Sequence, residues 1–136
     1  MSGFRTTRRI EFGDTDMAGI VHFANFFRFM ESAETEFLRS RGLTVSWRDA
    51  EGSFGFPRVS ASCDFKSPAR FEDVLDIAVT VEKVGRRSVA YRFDFSLAEV
   101  PVAVGRITTV FCKHSQGAGL ESIDIPDRIR GLLEDR

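Results

Sequence analysis

In the stretch FGDTDMAGIVHFAN, residues 12–25, two aspartates stand one residue apart and a helical pattern follows. Asp14 and Asp16 can each accept hydrogen bonds from free N–H groups, the commonest use of aspartate ahead of a helix. Asp16 lies too far upstream of Phe23 for a first-turn cap, with Met17, Ala18, Gly19, Ile20 and Val21 between them. An acid on a mainly apolar linker is expected to line a pocket, partly stripped of water. Desolvation there makes a carboxylate a better base or nucleophile. The helix start supplies a complement. Its first N–H groups have no intrahelical partner, and the macrodipole makes that end positive. A carbonyl placed there would be polarised, and charge developing on its oxygen stabilised. A carboxylate beside such a carbonyl is sufficient to hydrolyse an activated ester or thioester.

His22 stands where a general base could act, but the N-terminal end of a helix disfavours the imidazolium form. Pocket lining or helix capping fits it better. No GxSxG elbow or Ser or Cys nucleophile occupies a diagnostic position. Arg86, Arg87 and Ser88, in VGRRS, form a second constellation, because paired guanidiniums with a hydroxyl beside them suit phosphate groups. The plainer alternative is a solvated basic hairpin tip, and Arg58, Lys66 and Arg70 could extend it into a rim. Glu34 falls near the helix's apolar stripe, which makes it the first candidate for a partly buried helix acid, although a solvated or salt-bridged setting beside Arg28 and Arg39 is the favoured reading. His114, beside a Gly-containing loop, is expected at the surface.

Alternating patterns supply the elements that must hold these groups. Phe4, Thr6, Arg8, Ile10 and Phe12 outline a first strand, and Val59, Ala61, Cys63 and Phe65 another. Leu75, Ile77, Val79 and Val81, then Val89, Tyr91, Phe93, Phe95 and Leu97, give two strands with one buried face. The five residues between them favour a hairpin. From Val102 to Lys113 the alternation changes phase, and Gly105 at the change predicts a β-bulge. One long helix carries Phe23, Phe26, Phe27, Met30, Ala33, Phe37 and Leu38 at three- and four-residue spacing and stops at Gly42. A short helix is expected from Pro126 to about Leu133. An apolar helix stripe needs a sheet to bury it. The fold class is therefore α+β, a five-stranded antiparallel sheet wrapped around one long central helix. Open sheet edges favour pairing of two copies, so a homodimer is expected.

The 136 residues fit one domain, 1–136. A net charge of −1 argues against nucleic acid or an anionic membrane as main partner. Fourteen Phe against one Tyr and one Trp make the aromatic content almost wholly apolar, which suits a core or an apolar pocket. The N-terminus has no apolar leader, no stretch is long enough to span a membrane, and Cys63 and Cys112 read as free thiols of a cytoplasmic protein. Neither cysteine sits in a metal-binding pattern.

Two blocks carry a resemblance. FGDTDMAGIVHFANFFRFMESAETEFLRSRGL resembles the opening signature of the hotdog-fold 4-hydroxybenzoyl-CoA thioesterase family, with its D-x-D, glycine turn, early helical Asn and E-x-A-x-[TS]-E-x-L tail. DFKSPARFEDVLDIAVTVEKVGRRSVAYRFDF is similar to the strand, turn and paired hairpin strands of that family. The resemblance covers about residues 4–111. It implies a hotdog fold and hydrolysis of an acyl-CoA, with no metal or redox cofactor, by a homodimer or homotetramer whose active site lies between subunits. It makes Asp16 the catalytic carboxylate and the Phe23 amide the holder of the thioester carbonyl. Asn25 would support the turn or active-site hydrogen bonding, and Arg86, less directly Arg87, would meet the nucleotide phosphates. His22 stands where the family commonly has an apolar or aromatic residue, so it could orient an aromatic hydroxyl, assist a water or only cap the helix. The alternatives within reach of these residues are a thioesterase acting on acyl-carrier protein, a non-catalytic acyl-CoA-binding module and, with less support, a dehydratase.

Overall fold

The computed structural model describes residues 3–115 and 119–134. Met1, Ser2, part of the loop after His114 (116–118) and residues 135–136 lie outside the described residues. The order is β1 (Gly3–Arg9), a 3-10 turn (Phe12–Asp14), α1 (Ala24–Ser40), β2 (Ser46–Asp49), β3 (Gly52–Gly55), β4 (Arg58–Phe65) and β5 (Val74–Val84). It continues with β6 (Ser88–Leu97), β7 (Val100–Val110), β8 (Cys112–Ser115), β9 (Gly119–Ser122) and α2 (Asp127–Glu134). The sheet has five antiparallel strands, as the alternation predicts, in the order β1-β5-β6-β7-β4, with β4 at an edge. The second sheet, β2-β3-β8-β9, has no counterpart in the expected architecture.

The core is built where the two periodicities meet. Leu75, Ile77, Val79 and Val81 of β5 and Val89, Tyr91, Phe93 and Phe95 of β6 all point inward. From α1, Phe26, Phe29, Met30, Ala33, Phe37 and Leu38 close over them. Each fully buried large apolar side chain contributes about 1.5–3 kcal/mol. The expected stripe differs at its edges: Phe23 is exposed, Phe27 is half-buried and Phe29 takes the inward position. Glu34 departs from its expected place. It is fully buried and pairs not with Arg28 or Arg39 but with Arg58 of β4, at 2.8 Å.

The phase change in β7 is real but lies three residues earlier than predicted. Phe95 pairs with Ala103 and Ser96 with Pro101, so Val102 is the extra residue and Gly105 stays in register with Phe93 and Cys63. The glycine has another cause. A Cβ at residue 105 would lie 2.6 Å from Met30 Sδ and Cε, and Met30 is fully buried. Gly105→Ala is expected to lower stability by about 1–3 kcal/mol through overpacking, read as a lower urea midpoint at unchanged slope.

The small sheet forms around aromatic rings rather than along a patterned strand. Trp47, Phe54, Phe56 and Phe111 pack with ring centroids 5.2–6.1 Å apart. Its four strands have only four residues each, too short for alternation to register.

Candidate active site

The two aspartates of the opening motif divide the work. Asp14 is buried, and its Oδ2 accepts the Glu11 N–H at 2.8 Å and lies 3.8 Å from the Arg8 guanidinium. Its carbonyl accepts the His22 N–H and the Asn25 side-chain amide, both at 2.9 Å. Asp14 and Asn25 therefore pin the loop to the first turn of α1. Asp16 closes a tight turn: its N–H donates to the Ile20 carbonyl and its own carbonyl accepts the Gly19 N–H. Gly19 adopts φ +81°, where a side chain would be strained. Asp16 Oδ1 accepts the Ala18 N–H at 2.9 Å, which leaves Oδ2 without a donor among the described residues.

Asp16 opens onto a cavity of about 590 Å³ lined by Val21, Phe23, Phe26, Phe65 and Lys66 among others. The Phe65 ring meets Phe23 at 6.4 Å and Phe26 at 5.4 Å, and Phe26 meets Phe95 at 5.4 Å. The Val21 N–H donates to the Ala69 carbonyl at 2.8 Å, tying the Asp16 loop to the 66–69 loop on the other side of the cavity. The bulge at Val102 turns its carbonyl outward to accept the N–H groups of Lys66 and Ser67. An acid thus sits at the mouth of a phenylalanine-walled pocket. The expected desolvation does not hold within one chain, where Asp16 is exposed.

The start of α1 leaves one amide unused. His22 Nδ1 accepts the Ala24 N–H at 3.2 Å, the His22 carbonyl accepts the Asn25 N–H, and the Phe23 carbonyl accepts the Phe26 N–H. The Phe23 N–H meets no acceptor among the described residues. Phe23 and Asp16 line the same cavity. His22 takes the capping role: it is exposed, stacks on the Phe23 ring at 4.8 Å, and is not among the residues lining the cavity. An Nδ1 that accepts a hydrogen bond puts the proton on Nε2 and occupies the lone pair a base would use.

Arg86, Arg87 and Ser88 lie elsewhere. Arg87 Nε donates to Asp124 at 2.8 Å, and Arg86 Nε lies 3.6 Å from the same carboxylate. The Arg87 hydrogen bond holds the Asp124 carboxyl below its ordinary range. Arg86 remains 75% exposed, so its other guanidinium nitrogens are open to a ligand. Ser88 pairs with Val110 at the start of β6. The Asp16 loop joins the sheet beside Arg70, near the Val74 end of β5, while Arg86 follows its Val84 end. The 11 residues of β5 separate them, roughly 35 Å at about 3.3 Å per residue. One chain does not bring these arginines to Asp16.

β4 supplies Phe65 to the cavity wall and is one free edge of the sheet. It is exposed along nearly its whole length, with Val59 62% and Phe65 51% accessible. Among the described residues no group of His, Cys, Asp or Glu could hold a metal ion, and no helix is long and apolar enough to cross a membrane.

Residues 10–133 match the model of the Thioesterase-like superfamily. The chain is 32% identical over 131 residues to a 1,4-dihydroxy-2-naphthoyl-CoA hydrolase of Nostoc punctiforme, covering 96% of this chain and 86% of that protein. It is 37% identical over 92 residues to a 4-hydroxybenzoyl-CoA thioesterase of a Pseudomonas species, covering 65% and 64%. Among solved structures, a 4-hydroxybenzoyl CoA thioesterase with an aspartate changed to asparagine, complexed with 4-hydroxybenzoyl CoA, superimposes with a TM-score of 0.84. That match has 25% identity and covers 97% of this chain and 99% of that one.

Proposed function

The chain belongs to the Thioesterase-like superfamily, with a hotdog α+β fold, and is an acyl-CoA thioester hydrolase; we propose that its substrate carries an aromatic acyl group and that Asp16 is the catalytic carboxylate. The observation that carries this reading is the shared cavity. A carboxylate oxygen and a helix-start amide, both without a hydrogen-bond partner among the described residues, border one phenylalanine-walled pocket. The thioester carbonyl accepts from the Phe23 N–H, which stabilises the negative charge that develops on its oxygen. Asp16 Oδ2 then attacks the carbonyl carbon, expelling the thiolate and leaving an acyl anhydride on Asp16 that water hydrolyses, or takes a proton from a water whose attack on that carbon expels the thiolate. Both routes release free coenzyme A and a carboxylic acid, and both use the same residue.

The acyl ring packs against Phe23, Phe26 and Phe65, whose apolar faces suit an aromatic ring. The similar proteins named for naphthoyl and benzoyl thioesters support an aromatic substrate. A cytoplasmic location fits the two free thiols, Cys63 and Cys112. Release of free thiol from a panel of aromatic and aliphatic acyl-CoAs tests the reading. Turnover led by the aromatic members is expected, and turnover confined to aliphatic chains would overturn the substrate class.

The nucleotide end falls to a second copy. Arg58 at one end of β4 pairs with Thr109, Thr109 with Val89, and Val89 with Val84, so Arg86 lies at the Arg58 end of the sheet. Phe65 lies at the other end. Antiparallel pairing of β4 with β4 of a second copy would set the Arg58 end of one chain beside the Phe65 end of the other. From β6 to the second copy's β4 is then about three strand spacings, roughly 14 Å, within reach of an extended pantetheine arm. The same pairing would cover Asp16 and supply the desolvation that the single chain lacks. Arg86→Ala combined with Arg87→Ala is expected to raise KM for an acyl-CoA on the order of tenfold and leave kcat nearly unchanged. An acyl thioester of N-acetylcysteamine, which has no phosphates, is expected to show no difference between variant and wild type.

A further inference from the structure

Away from the cavity, three buried side-chain oxygens lack a hydrogen-bond partner among the described residues: Glu34 Oε2, Tyr91 Oη and Thr109 Oγ1. They belong to one part of the core. Thr109 of β7 sits opposite Arg58 of β4 and opposite Val89 of β6, and Tyr91 is the next inward residue of β6. Glu34 comes down from α1 to the same place. Its Oε1 takes both the Nε and the Nη2 of Arg58, at 2.9 and 2.8 Å, and so Oε2 is left over. Arg58 Nη1 turns outward instead, 3.6 Å from Glu31 Oε2.

Each of these oxygens would cost stability if it stayed unpaired, because folding removes it from water without replacing the lost hydrogen bond. Burial pushes the Tyr91 hydroxyl's pKa up and the Glu34 carboxylate adds to the effect, as two groups near one another would. Tyr91 has little freedom to reach a partner by moving. Its ring is held edge-on by Phe37 at 5.9 Å and tilted against Phe93 at 6.1 Å. Burial opposes charge on Glu34, whereas the two contacts from Arg58 favour the carboxylate, an acceptor that needs a donor at Oε2.

We infer that Glu34 Oε2, Tyr91 Oη and Thr109 Oγ1 surround an internal binding site for one water molecule. The water accepts a hydrogen bond from each hydroxyl and donates one to the carboxylate, the three contacts usual for a buried water. It joins α1 to β6 and β7, and through the Arg58 pair to the edge strand β4. This node is independent of the proposed reaction, since none of its three oxygens belongs to the Asp16 cavity.

A crystal structure of the full chain, at a resolution that shows ordered water, and urea unfolding of two conservative variants test the inference. One density peak within hydrogen-bond distance of all three oxygens is expected. Tyr91→Phe and Thr109→Val each remove one donor to the water, and each is expected to lower the folding equilibrium constant about tenfold. Direct contact between the oxygens with no peak among them would overturn the inference. So would Tyr91→Phe folding as stably as wild type or more so, the result a hydroxyl without any partner would give.

Discussion

Asp16→Asn is expected to lower kcat for an aromatic acyl-CoA on the order of a hundredfold or more, with KM little changed. The substitution removes one charge and keeps the shape. Asparagine's carbonyl oxygen can still accept the Ala18 N–H, so the turn that presents residue 16 is retained. The residue is exposed, and stability is expected to stay within about 0.5 kcal/mol of wild type. Asp14→Asn is the informative contrast. It disturbs a buried carboxylate that holds the Glu11 N–H and faces Arg8, and so should lower the unfolding midpoint before it touches chemistry. Thiol release and urea unfolding measured on both variants separate the roles. Equal turnover by Asp16→Asn and wild type would make Asp16 a turn residue and sink the mechanism. If neither releases thiol while both still bind the ester, a binding module is the better reading.

What the sequence disclosed follows from how far each signal reaches along the chain. Alternation over ten residues is a local property, and it placed β5, β6 and their hairpin correctly. The helix stripe did the same for α1. The small sheet could not be read this way, because Trp47, Phe54 and Phe111 meet through chain reversal and carry no common period. The partner of Glu34 is hidden from the sequence for a related reason. A helical wheel shows Arg28 and Arg39 as neighbours, whereas the partner that permits burial, Arg58, lies 24 residues on and reaches it only through the sheet. Gly105 predicts a bulge from its place in the pattern, whereas its cause is the methionine packed on it, a contact no local pattern shows. The site divides along the same line. The spacing of Asp14, Asp16, Phe23 and Asn25 is local, and their geometry forms one loop-helix junction. Within one chain Asp16 is exposed and Arg86 lies at the far end of β5, and the second copy proposed to join them is beyond the reach of any local pattern.

That division makes the second copy the most consequential part of the proposal. A β4 edge blocked by charge is expected to yield a monomer whose kcat/KM for acyl-CoA falls on the order of a thousandfold. Val59→Glu with Ala61→Glu puts two carboxylates on each exposed edge, and with the Arg58 end of one copy beside the Phe65 end of the other, the carboxylate at 59 would come up against Asp64 of the second copy. Like charges set opposite each other across paired strands are destabilising, and natural edges use charge to prevent such pairing. Neither residue belongs to the five-stranded sheet's buried core or lines the Asp16 cavity, so the fold of each chain should survive. The loss combines two effects. Asp16 stays in water, where a carboxylate is a poorer base and nucleophile, and Arg86 of a second chain no longer reaches the phosphates. Light scattering and thiol release on the same samples decide it. A monomer that keeps full turnover would show the site to be complete in one chain. A variant that remains dimeric and active would move the interface away from β4.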